Sequence, residues 1–221
     1  MGTSCAVSGT GFMFSREIME KCGWKFFLLT EDIQFSVSSV IDGEKIGYCA
    51  KAMLYDEQPV TFKQSWNQRL RWAKGYYQVF GRYGAKLIKG MFKGNFSCYD
   101  MAMSIMPAII LTGITVVVDF GAMIYMLSTG QSIVPILEIF GTVLLNMYLL
   151  MFTLGAITTF TQWKRIYTTN VKKVLYMFTF PIFMLTYIPI SITAFVKKVQ
   201  WTPIAHTKAS TVQEITGEKT A

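Results

Sequence analysis

Three apolar runs constrain this chain more than anything else in it: Met101 to Leu127, Ile133 to Thr161 and Val174 to Val196. Each is long enough to cross a hydrocarbon layer of roughly 30 Å as a helix. Over the whole 221 residues, 52% are hydrophobic and 15% charged, too apolar for an ordinary soluble domain of this length. The first two runs are joined by the uncharged link Ser128-Thr129-Gly130-Gln131-Ser132 and read as a transmembrane hairpin with its turn outside. The link after the second, Gln162 to Lys173, carries Lys164, Arg165, Lys172 and Lys173, which places it in the cytoplasm. The third run is interrupted by Pro181 and Pro189 and closed by Lys197 and Lys198; a single crossing would put the basic tail outside, whereas a kinked re-entrant or interfacial passage would keep it inside. About three membrane helices are expected over 99–200, followed by a polar tail over 201–221.

Two acidic residues lie within these runs, Asp119 and Glu138. Charges there are costly and commonly face a partner or a water-filled path, or else snorkel toward the interface; both readings stay open. The formal net charge of +8 is carried by Lys and Arg flanking the apolar runs, which suits phosphate head groups or a phosphorylated ligand. No nucleic-acid module accompanies it. The cysteines at 5, 22, 49 and 98 have no CxxC or Cys/His ligand spacing, and the one histidine, His206, is far away, so reduced cytoplasmic thiols are expected. Met1 is followed by no basic and apolar leader pattern, and the chain reads as starting in mid-domain.

Residues 1–63 read as a soluble piece of mixed α/β character. Ala6 to Val7 and Phe12 to Phe14 look extended around Gly9-Thr10-Gly11, where two glycines permit either a plain turn or close approach to a ligand. Ser15 fits the N-cap of a helix over Arg16 to Cys22 that Gly23 ends. Thr30 fits the N-cap of a second helix with Ile33, Val37 and Val40 inward and Gly43 at its end, so Glu31 and Asp32 sit in its first turn. Carboxylates also favour that position simply because of the helix dipole. Lys45 to Tyr55 alternates like a strand, and Asp56 to Pro59 reads as a loop.

Thr61 to Met91 has helical periodicity, with Gln68, Arg71 and Trp72 on one face and Trp66, Leu70, Ala73, Tyr77 and Phe80 on the other. Arg82, Lys86 and Lys89 continue the polar side. An amphipathic helix over 64–98 lying along a membrane surface fits this pattern, as does an ordinary helix on a soluble core.

Ser8-Gly9-Thr10, then Thr30-Glu31-Asp32, then Gln68-x-x-Arg71-Trp72, followed by an apolar hairpin, resemble the processive membrane-embedded glycosyltransferases of family 2. These include the cellulose, chitin, hyaluronan and poly-N-acetylglucosamine synthases. The resemblance covers roughly residues 3 to 200, and the order and spacing of its motifs are more specific than any motif alone. It implies that residues 1–63 are the C-terminal part of a GT-A (Rossmann-like) catalytic domain. It implies a hexosyltransferase that moves a sugar from a UDP-sugar donor to a growing polysaccharide or glycolipid with inversion. Asp32 would be the catalytic base toward the acceptor hydroxyl. Gln68 and Arg71 would hold the pyrophosphate, and Trp72 would stack on a sugar ring. Thr30 and Glu31 would complete the substrate-binding triplet, with Ser8, Gly9 and Thr10 at the acceptor.

Mg²⁺ or Mn²⁺ is implied for the complete enzyme, with ligands outside this chain, because no D-x-D occurs in it. That donor half is expected upstream of Ser4, and the present chain alone is expected to be inactive. The implied setting is the cell membrane, multi-pass, with the catalytic part cytoplasmic and an accessory membrane subunit as a further partner. A non-catalytic membrane subunit or remnant that anchors or passes a glycan is the alternative. A transporter unrelated to sugars would leave the Thr30-Glu31-Asp32 and Gln68-to-Trp72 patterns unexplained.

Overall fold

A computed structural model describes residues 3–105, 107–130, 132, 134–203, 210–211 and 214–215. Most of the polar tail and His206 lie outside the described residues. The elements are α1 (Arg16–Cys22), α2 (Glu31–Ile41), α3 (Phe62–Phe92), α4 (Phe96–Ile105), α5 (Pro107–Ser128), α6 (Val134–Thr161), α7 (Asn170–Leu185) and α8 (Tyr187–Val196). The chain divides into one unit of residues 1–112 with 190–205 and another of 113–189 with 206–221.

The first unit is built around α2, α3 and α4. Ile33, Val37 and Val40 of α2 meet Val79 and Leu87 of α3 and Cys98, Met101, Ala102 and Ile105 of α4 in one buried cluster. Removing that much aliphatic surface from water is the main force holding the three helices together. The opposite face of α2 turns Phe35 toward Val7 and Phe26, with Phe12, Ile18 and Ile46 at the margin. Both faces of this short helix are therefore committed.

Capping follows the sequence closely in two helices. Ser15 accepts a hydrogen bond from Ile18 N–H at the start of α1, and Gly23 ends it at φ 58°. Thr61 accepts from Gln64 N–H at the start of α3. Thr30 does otherwise: it stands at the start of α2, but its side chain makes no capping bond. The hydroxyl is instead turned into the contact with α3.

The expected α/β character is not confirmed. Among the described residues there is no strand, so the Rossmann-like sheet is not seen. The segments at Ala6–Val7 and Lys45–Tyr55 have single bonds in place of a ladder, and Phe12–Phe14 forms no strand. Cys5 N–H reaches the Ile46 carbonyl at 3.0 Å, while Ser4 Oγ and Ser36 Oγ accept from Ile46 N–H and Val7 N–H. One backbone bridge and two hydroxyls do not make the alternating pairs that a sheet requires.

The amphipathic helix spans Phe62–Phe92. Its Trp66, Leu70, Ala73 and Tyr77 stripe is covered by protein, packing on Ile190, Ala194 and Val199. Tyr77 Oη donates to the Ser191 carbonyl at 3.1 Å and Lys74 Nζ to that of Phe195 at 3.3 Å. Phe80, expected on the same stripe, packs on the α2–α3–α4 core. Arg82, Lys86 and Lys89 are exposed. The first apolar run is likewise divided: Met101, Ala102 and Ile105 belong to the core, and a new helix starts at Pro107, where a proline fits the first helical turn.

In the second unit α6 packs on α7. Tyr148 Oη donates to the Phe178 carbonyl at 3.1 Å, the Phe152 and Phe178 rings lie 4.9 Å apart, and Gly155 gives room to the Phe180 ring. The turn between them is fixed by Lys173, whose Nζ donates to the Trp163 carbonyl at 2.6 Å and lies 4.8 Å from that ring. Among the described residues, Val134–Thr161 and Asn170–Val196 are long and apolar enough to cross a membrane, and a shorter apolar helix covers Val117–Ser128. The third run is two helices in sequence, α7 with Pro181 inside it and α8 beginning at Tyr187. Glu138 is exposed on α6 and Asp119 half-buried on α5. All four cysteines are unpaired.

Candidate active site

Asp32, Arg71 and the Gly9 loop come together at the N-terminus of α2, whereas among the described residues no hydrogen bond or ring contact joins Gln68 or Trp72 to them. Asp32 stands in the first turn, where its Oδ1 accepts a hydrogen bond from Ile33 N–H at 2.8 Å. Its other oxygen faces the Ser8-Gly9-Thr10 loop: a Cβ built on Gly9 would lie 3.6 Å from Asp32 Oδ2. Ser36 ties loop and helix together, accepting from Val7 N–H and donating to the Asp32 carbonyl, each at 2.8 Å. Ser36 is fully buried, so both bonds are shielded from water.

Burial pushes the Asp32 carboxyl above its ordinary range, and the neighbouring charge of Glu31 adds to the shift. The Ile33 N–H and the Arg71 guanidinium act in the opposite direction. A carboxylate made more basic by desolvation, yet kept within reach of a cation, has the properties of a general base.

Arg71 comes from α3. Its Nη1 donates to the Leu29 carbonyl at 2.6 Å, tying α3 to the chain just before Asp32. A guanidinium carries five N–H groups, so this bond leaves others to meet an anion. Gln68 and Trp72 are half-buried one helical turn apart, and their side chains form no hydrogen bond among the described residues. Ser8, Gly9 and Thr10 are exposed, and Glu31 is half-buried. Thr30 is 3% exposed, and its Oγ1 has no hydrogen-bond partner among the described residues.

Two residues absent from the motif reading also hold this region. Gln78 Oε1 accepts from Leu29 N–H at 3.2 Å, and Gln34 Oε1 accepts from Leu28 N–H at 3.0 Å while its Nε2 donates to Tyr83 Oη at 3.1 Å. The signal for Gln78 was present in the sequence, because it lies seven positions beyond Arg71 and so returns to the same helix face. Gln34 gave none, since a glutamine in an inward stripe is uninformative until its partners are known.

Among the described residues no three His, Cys, Asp or Glu side chains come together to hold a metal ion. The donor set a divalent cation needs is not assembled by these residues.

A family model described as glycosyl transferase family group 2 matches residues 1–201. The "Probable glycosyltransferase YdaM" of Bacillus subtilis (strain 168) is 33% identical over 84 residues, covering 38% of this chain and 20% of the relative. The poly-beta-1,6-N-acetyl-D-glucosamine synthases of Staphylococcus aureus strains COL and MSSA476 are 33% identical over 82 residues, 37% of this chain and 20% of theirs. The chain thus aligns to about a fifth of the length of these relatives. No solved structure matches.

Proposed function

Since the chain belongs to the glycosyl transferase family group 2, we propose that it carries the acceptor-activating and leaving-group part of an inverting, membrane-bound hexosyltransferase. The family itself implies a sugar donor and a glycan acceptor. The finer reading is transfer from a UDP-sugar to a growing polysaccharide or glycolipid. Its chief support is the convergence of a desolvated carboxyl, Asp32, with the Arg71 guanidinium of a separate helix and with the Gly9 loop.

In this reading Asp32 accepts the proton of an acceptor hydroxyl as that oxygen attacks the anomeric carbon. The new C–O bond forms on the face opposite the departing UDP, so the configuration inverts and the bond electrons leave with the diphosphate. Arg71, with Gln68, stabilises the negative charge that develops there; a preorganised donor of this kind typically contributes a factor of about 10² or more. Trp72 offers its ring face to the acceptor sugar. Thr30, Glu31, Ser8, Gly9 and Thr10 complete the proposed substrate-binding set.

In the same reading the catalytic part comprises residues 1–63 with the Gln68-to-Trp72 helix, and the membrane part at the cell membrane lies within residues 99–200, of which Met101 to Ile105 pack in the α2–α3–α4 core. Two helices long and apolar enough to cross support that assignment, with the Lys164, Arg165, Lys172 and Lys173 link on the cytoplasmic side. An accessory membrane subunit is compatible with this arrangement, and nucleic acid is not a partner.

The reading is tested by supplying membranes that carry the complete protein with a panel of UDP-sugars. UDP release should accompany a product whose new linkage has the configuration opposite to the donor's. A product with retained configuration, or no UDP-dependent product with any sugar, would overturn the proposal and favour a non-catalytic membrane subunit.

A further inference from the structure

We propose that Gln78 is a positioning residue for the reaction described above, acting through the peptide that leads into Asp32; the inference rests on the assignment of Asp32 as base. Arg71, Gly75 and Gln78 follow one another at spacings of four and three residues and so form one stripe along α3. The stripe grips the Leu29–Thr30 segment at three points. Arg71 Nη1 donates to the Leu29 carbonyl at 2.6 Å, and Gln78 Oε1 accepts from the N–H of the same residue at 3.2 Å. Between them Gly75 gives its missing side chain to Thr30, whose Oγ1 would lie 2.5 Å from a Cβ at that position.

Both backbone groups of Leu29 are thus held by one rigid helix. Side chains on a packed helix place their partners more tightly than loop residues do. Leu29 lies three residues before Asp32, and Thr30 carries the first residue of the helix that holds it. One residue earlier, Leu28 N–H goes to Gln34 of α2, which also bonds Tyr83 of α3. Arg71 has a competing task in the proposed reaction, because its guanidinium is also the phosphate donor. Gln78 has none. It therefore holds the Leu29 peptide whatever the other N–H groups of Arg71 meet, and the direction of the Asp32 carboxyl depends on it.

A neutral amide that only accepts an N–H contributes to rate through placement, and misplacement on the order of 1 Å can cost about a hundredfold. Three variants of the complete protein in membranes separate placement from general packing. Q78M keeps the length and loses the acceptor, Q78E keeps an acceptor, and Q78K offers a donor only. The expected result is a fall in kcat of roughly tenfold or more for Q78M and Q78K, with donor KM changed less than about threefold. Q78E should recover kcat to within about threefold of the parent. Hydrogen exchange at the Leu29 amide should be slow in the parent and Q78E and fast in Q78M.

Unchanged kcat in Q78M, or equal losses in Q78E and Q78K, would overturn the proposal. Should Q78M fail to accumulate, the Q78E and Q78K pair still decides. A Leu29 amide that exchanges in the parent as fast as an exposed one would refute the bond itself. Asp32→Asn in the same preparation keeps the two inferences apart: an inactive Asp32→Asn with a fully active Q78M removes the role of Gln78 alone, whereas an active Asp32→Asn removes the base.

Discussion

Thr30 lies against Gly75 so closely that no side chain fits between them: a Cβ at position 75 would fall 2.5 Å from Thr30 Oγ1 and 2.9 Å from its Cβ. Gly75→Ala should therefore push α2 and its carboxylates away from α3. Overpacking of this kind costs about 1–3 kcal/mol, offset by the roughly 1 kcal/mol that alanine contributes over glycine inside a helix. A net loss of stability and a larger loss of activity are expected. Combining Gly75→Ala with Thr30→Ala should recover part of the stability, and a double-mutant cycle by thermal unfolding reads the coupling. Additive effects would mean that the two residues do not meet.

The pH dependence of transfer should follow Asp32. Its carboxyl is pushed above the usual carboxylate range of about 4 by burial, and the base works only when ionised. The acid limb of kcat/KM is therefore expected above that range. Arg71 holds the value down, so Arg71→Met should move the limb of the residual activity to higher pH. A shift to lower pH would contradict the placement of the two groups.

Stability should show the same group from the other side. A carboxyl raised in the fold is favoured there in its protonated form, so its contribution is full below the unfolded value near 4 and is lost as pH rises through the folded value. Asp32→Asn is expected to flatten this dependence and to be the more stable protein at neutral pH. Thermal unfolding of both proteins across the acid range checks it.

Ser36 joins α2 to the residue that leads into the Ser8-to-Thr10 loop with one bond, accepting from Val7 N–H, while its own hydroxyl proton goes to the Asp32 carbonyl one turn back in the helix. Ser36→Ala leaves the Val7 N–H without its partner in a buried setting, which typically costs about 1–3 kcal/mol. Faster hydrogen exchange at Val7 and a higher acceptor KM are expected, with donor KM unaffected.

In the second unit Lys173 is 7% exposed, its ammonium bonded to the Trp163 carbonyl and placed over that ring. Lys173→Met keeps the aliphatic stem and removes both interactions. A loss on the order of 1–2 kcal/mol is expected in the thermal unfolding of the detergent-solubilised protein. Lys172→Met, at an exposed neighbour, should change little.

Local features were readable in the sequence where a single residue decides them. Ser15, Gly23 and Thr61 mark helix ends because capping is a matter of one side chain and a nearby N–H. The 3.6-residue period likewise put Arg71 on the face that meets α2. Tertiary competition was not readable. Thr30 has the composition of a cap, yet contact with Gly75 takes its hydroxyl elsewhere. Met101 to Ile105 are as apolar as a membrane run, and hydropathy alone does not distinguish burial in lipid from burial against Val40 and Leu87. Pro107 was the available mark of the boundary. The strand pattern of Lys45 to Tyr55 was real as alternation, but a sheet also needs a ladder of backbone partners, and Cys5 supplies a single bridge, to Ile46. Gly9 and Asp32 are separated by more than twenty residues, and their approach follows from Ser36, which no motif includes.

The most direct measurement is sugar transfer by Asp32→Asn in membranes carrying the complete protein, with donor-nucleotide affinity determined on the same preparation. Asparagine keeps the size of the side chain and loses the basic oxygen. Transfer reduced by about three orders of magnitude or more, with nucleotide affinity within about threefold of the parent, is the result expected of a lost base. Transfer at the parent's rate would contradict the assignment of Asp32 and, with it, the account of this site.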